Sequence, residues 1–101
     1  MAASIFSTAT DTDGLAPGGA YDWWATGFGS GDAILITAKA GRTFFEGEHG
    51  VSFSRVLVVE GVSIEIRSVG GHIEHYVWCS VRNAGTEFIP VYTITWAKVS
   101  P

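Results

Sequence analysis

The stretch GHIEHYVWCSV, residues 71–81, gathers most of the chain's reactive side-chain types in one place. His72 and His75 flank Glu74, Tyr76 and Trp78 follow, and Cys79 is the single cysteine. Three readings fit these types: a metal held by two imidazoles, a thiol activated by a histidine, or a strand with two different faces. In a helix, residues three apart share a face, and an H-x-x-H pair can grip one ion. In a strand, side chains alternate and the chain rises about 3.3 Å per residue, so His72 and His75 point apart with Cα atoms about 10 Å from one another. His75 and Cys79 share a strand face but stand about 13 Å apart, beyond the hydrogen-bond reach a thiolate–imidazole pair requires. An extended 71–81 therefore excludes both the metal pair and the dyad.

On that reading Ile73, His75, Val77, Cys79 and Val81 form one face, with Cys79 a small buried hydrophobe and His75 a hydrogen-bonded histidine at the core edge. The other face carries His72, Glu74, Tyr76, Trp78 and Ser80, with Arg82 beyond. Aromatic rings among polar groups on a solvent-side face combine contact area with a polar handle. They serve a ligand, or pack under a loop or a neighbouring subunit.

A second cluster lies in AYDWWATGFGSGD, residues 20–32. Consecutive tryptophans in a strand face opposite sides, so one of Trp23 and Trp24 joins the core and the other does not. Tyr21, Trp23 and Ala25 share one face; Asp22, Trp24, Thr26 and Phe28 share the other. A carboxylate beside a ring suits a sugar, the carboxylate accepting hydroxyl hydrogen bonds while the ring covers the apolar side of the pyranose. The candidate ligand-binding residues are thus Asp22, Trp23, Trp24, His72, Glu74, Tyr76 and Trp78.

Other motifs carry less. DTDG at 11–14 opens like a calcium loop, but position twelve is Asp22 rather than glutamate, and an Asx turn accounts for it. Glu46, Glu48 and His49, joined in space by His72, would make a cupin-like metal site, the one enzymatic alternative. GFGSGD has neither lysine nor a following helix, so no phosphate cradle is expected, and no nucleophile-elbow motif marks a serine. No catalytic residue, metal or cofactor is predicted.

The elements that position these residues are strands. Thirteen glycines punctuate short runs of Val, Ile, Thr and aromatics across 101 residues, and no window keeps a helical period. Seven strands are expected, at about 3–10, 20–28, 32–40, 51–59, 62–68, 72–82 and 87–99. Glu60-Gly61 is read as a hairpin turn, and Pro90 marks the last strand as an edge or as bulged. The predicted fold is all-β, a single antiparallel β-sandwich domain over 1–101, jelly-roll or immunoglobulin-like, with a small barrel as the alternative.

Only 16% of residues are charged, against about 25% on average, which leaves apolar surface for partner chains to cover. Strands 32–40 and 87–99 are apolar or weakly polar on both faces, again as if covered. A homo-oligomer is expected. The net charge is −4 with six scattered basic residues, so nucleic acid is not an expected partner. No apolar run reaches the roughly 20 residues of a membrane helix, and no signal-peptide pattern opens the chain. With one cysteine, this predicts a cytoplasmic or unconventionally exported protein without internal disulfides.

The sequence thus predicts a non-catalytic, lectin-like, homo-oligomeric module for a glycan or other small polar ligand. The alternative is a structural protomer of a ring, shell, filament or phage-like particle with no small-molecule ligand.

Overall fold

The computed structural model describes residues 2–41 and 54–101. Six strands follow in order: β1 Ala2–Asp11, β2 Ala20–Ala25, β3 Ala33–Ala40, β4 Leu57–Val69, β5 His72–Asn83 and β6 Tyr92–Ser100. No helix occurs among the described residues. The strands form two antiparallel three-stranded sheets, ordered β1-β6-β3 and β2-β5-β4.

The central strands β5 and β6 supply the shared core. Val77, Cys79 and Val81 of β5 and Tyr92, Ile94 and Trp96 of β6 are buried, at the alternate spacing a strand imposes. Ile34, Ile36 and Ala38 of β3, Leu57 and Val59 of β4 and Trp23 of β2 pack around them. The Trp23 indole Nε1 donates to the Tyr92 hydroxyl at 2.9 Å, and burial pushes that hydroxyl up to about 12.

Among the described residues, one polar residue lies in this core. Asn83, fully buried, donates from Nδ2 to the carbonyls of Leu15 (2.9 Å) and Glu87 (2.7 Å) and accepts at Oδ1 from the Gly85 amide. Its backbone groups pair with Gly18 and Gly19. A buried amide with every group satisfied holds the 12–19 and 84–91 loops together, and the Leu15–Ile89 bridge lies beside it.

The expected hairpin between strands 51–59 and 62–68 is corrected: residues 57–69 form one strand, every paired residue of which meets β5. Residues 51–53 lie outside the described residues. Glu60 pairs with Ser80 and Ser63 with Trp78, so Gly61 and Val62 together oppose Cys79. Gly61 has φ +63°, the left-handed conformation of the first residue of a glycine bulge. Among the described residues there are therefore six strands where seven are expected. The last strand begins at Tyr92 rather than 87 and is the centre of its sheet rather than an edge, with Pro90 outside it. The second ends at Ala25, which frees Phe28 to turn into the core.

β2 pairs with β5 only from Ala20–Arg82 to Ala25–Val77. Beyond Val77, β4 and β5 continue alone as a two-stranded arm, closed by Gly70-Gly71 at φ +57° and +81°. Two consecutive positive φ values are what a two-residue turn matched to strand twist requires, and glycine supplies both. The arm lengthens the molecule to 57 × 27 × 18 Å. The radius of gyration is 16.1 Å, against about 13 Å for a compact chain of this length.

Candidate functional site

The outer face of β5 meets the outer faces of both neighbours. Trp24 of β2 lies opposite Trp78, and Glu65 and Arg67 of β4 lie opposite Tyr76 and Glu74. Three rings assemble: Trp24–Tyr76 centroids are 5.7 Å apart, Trp24–Trp78 6.0 Å, and Tyr76–Trp78 6.2 Å in a stacked pair. Trp24 is the outermost, 54% exposed.

Charged groups brace the rings. The Arg67 guanidinium sits 4.5 Å over the Tyr76 ring and donates to Glu65 at 2.7 Å, a cation–π contact beside an ion pair. Glu65 also accepts from the Trp78 indole nitrogen at 3.1 Å. Tyr76 donates its hydroxyl to Glu74. The Arg67 hydrogen bond holds the Glu65 carboxyl below the ordinary range, and Glu65 in turn raises Arg67. The hydrogen bond to Glu74, aided by burial, pushes the Tyr76 phenol up. Tyr76 and Trp78 are thus held by hydrogen bonds to acidic side chains, with the Trp24 ring beside both.

Beside Trp78 the surface dips. A depression of about 390 Å³ is lined by Asp22, Gly61, Trp78, Cys79 and Ser80. It lies at the bulge, where a Cβ on Gly61 would meet no atom within 4 Å. A carboxylate and a hydroxyl thus stand next to a ring face. Further along, Arg82 pairs with Glu60 at 2.8 Å and lowers that carboxyl.

Of the residues singled out from sequence, Trp24, Glu74, Tyr76 and Trp78 come together, and Asp22 borders them. Trp23 turns to the opposite face, against Tyr92 and Tyr21 at 6.2 and 5.3 Å. His72 is exposed at the arm's tip, opposite Val69. His75 is half-buried, its ring 5.7 Å from that of Phe28. Cys79 is buried, and burial raises its thiol to about 11, far from the thiolate a nucleophile needs. Glu65 and Arg67 are not among the residues singled out from sequence. Their place beside the rings depends on which strand β4 adopts as its partner.

Glu46, Glu48 and His49 of the cupin-like alternative lie outside the described residues. Among the described residues, no group of three or more His, Cys, Asp or Glu is placed to hold a metal ion. DTDG forms an Asx turn, the Asp13 amide donating to Asp11 at 2.7 Å. Compared with known proteins, the chain matches no family model, no curated protein and no solved structure.

Proposed function

We propose that this chain is a non-catalytic, lectin-like binding module, its two sheets the leaves of a β-sandwich, working as a homo-oligomer and taking a glycan on the outer face of β2-β5-β4. The observation that carries this reading is the braced platform of Trp24, Tyr76 and Trp78 beside a depression with Asp22 and Ser80. A pyranose has an apolar face that stacks on such rings and a rim of hydroxyls for a carboxylate to accept. Binding is assigned to pre-formed aromatic area, with the acids setting orientation. Titrating a panel of mono- and oligosaccharides while following tryptophan fluorescence, alongside a broad glycan array, tests it. Saturable quenching that Trp24→Ala abolishes is the expected result. A silent array and unchanged fluorescence with folded protein would reject the reading.

A second reading, a structural protomer without small-molecule ligand, is favoured by the apolar side of the arm. It expects large assemblies by light scattering and no response to sugars.

A further inference from the structure

The arm's two faces differ. Outside, Arg67 is hydrogen-bonded to Glu65 and Tyr76 to Glu74, and the guanidinium over the Tyr76 ring joins the two pairs. Inside, β4 presents Val62, Ile64, Ile66 and Ser68, and β5 presents Ile73 and His75. Val62, Ile64, Ile66 and Ile73 are 53, 52, 64 and 63% exposed. The opposing sheet does not reach over them. Between the sheets at the arm's root opens a groove of about 340 Å³ lined chiefly by Phe28, Ile34, Val62, Ile64, Ile66 and His75.

A two-stranded ribbon is marginal on its own in water. An apolar strip of this size on a monomer marks a contact surface. We infer that a second copy of this chain covers the inner face of the arm, the two arms lying antiparallel about a twofold axis. Each tip, with Ile73, then seats in the other copy's root groove. This rests on the homo-oligomeric part of the reading above and names the surface that does it.

Two observations favour a second copy over another occupant. The first is area. Four half-exposed aliphatic side chains offer on the order of 400 Å² per copy, so two such faces with their rims reach the roughly 1,000 Å² at which specific interfaces begin. A small ligand in the root groove would leave Ile73 in water. The second is charge. The chain carries −4 overall, yet this face has no Asp, Glu, Lys or Arg, so like-charged copies meet where repulsion is least. Asp32, at the groove's mouth, is held by the Gly29 amide and the Ser100 hydroxyl at 2.7 and 2.9 Å. A self-complementary patch closes as a dimer rather than a filament.

The test is sedimentation velocity with light scattering on the full chain, from low micromolar to near-millimolar concentration. Wild type is expected at the mass of two 10.8 kDa chains. Ile66→Glu and, separately, Ile73→Lys are expected to weaken self-association on the order of a hundredfold, as charges buried without partners do. Both positions are mostly exposed in the single chain, so neither change costs core packing. Should Ile66→Glu lose its near-ultraviolet dichroism, Ile73→Lys at the tip carries the test, together with arm amides whose exchange slows as wild-type concentration rises. A wild-type monomer throughout would overturn the inference, as would a monomer that takes up 1-anilinonaphthalene-8-sulfonate in the groove, or variants as dimeric as wild type. Sugar titrations on the same samples separate the two proposals. A monomer that still binds sugar removes the interface alone, and a dimer that ignores every sugar removes the glycan reading alone.

Discussion

From Val77 to Asn83, strand β5 has a neighbour on each edge and a sheet over its inner face. From His72 to Tyr76 it has one strand neighbour among the described residues, β4, and its inward Ile73 is exposed. The alternation of residue types is the same in both halves: apolar inward, polar or aromatic outward. In the base the inward residues of β5 are buried, and in the arm the inward aliphatic residues are more than half exposed, with only His75 half-buried against Phe28. Patterning therefore tells which way a side chain points. It does not tell whether anything lies there to cover it. That difference separates the part of the molecule that holds the fold from the part whose apolar side chains stay exposed in the single chain.

The sharpest way to test the contrast is to cut into the base. Trp96→Ala removes a side chain 1% exposed and is expected to cost about 3–5 kcal/mol, read from urea midpoints, with the arm and base unfolding together. Asn83→Ala takes the side-chain partner from the Glu87 carbonyl and the Gly85 amide and leaves the Leu15 carbonyl with the Ile89 amide alone. A loss of about 2–3 kcal/mol is expected, and a protease should cut the 12–19 and 84–91 loops faster. On the outer platform the balance reverses. Trp24→Ala should lower sugar affinity roughly tenfold or more by calorimetry while stability changes by less than about 1 kcal/mol. If Trp24→Ala instead unfolds the protein, the platform belongs to the base and the contrast fails.

The smallest expected effect lies in the arm's electrostatics. Arg67 holds Glu65 below the ordinary glutamate value of 4.5. A carboxyl depressed in the folded state stabilises fully above its unfolded value, and this stability is lost as pH falls through the folded one. Glu60 and Asp32 act in the same direction. Urea midpoints should therefore be level above pH 4.5 and fall below it. Glu65→Gln should flatten the acid limb slightly, because the pair is exposed and screened.

Much of this was legible in the residues. The alternation in 72–82 established the two faces of β5, with His72 and His75 on opposite sides and Cys79 four residues from His75, and the grouping of Glu74, Tyr76 and Trp78. The opposed fates of Trp23 and Trp24 followed from the same geometry. The strand count was not legible, for a specific reason. A hairpin turn at 60–61 and a bulge at 61 both place Leu57, Val59, Ile64 and Ile66 on one face, so the apolar pattern cannot distinguish them. Only the partner decides, and β5, twelve residues long, is long enough to pair with all of 57–69. Partner identity also hid Glu65 and Arg67 from the candidate site. Pro90 misled because it was counted inside a strand that begins two residues later.

The extra residue at Gly61 also sets the arm's handedness of use. Upstream of it the odd-numbered positions of β4 look inward, and downstream the even-numbered ones do. Flattening the bulge, so that Gly61 alone opposes Cys79 and every later residue of β4 moves on by one pair, would turn the arm inside out. Glu65 and Arg67 would leave the rings for the inner face, and Val62, Ile64 and Ile66 would surface among the rings. One backbone irregularity thus keeps two incompatible surfaces on opposite sides of the same ribbon.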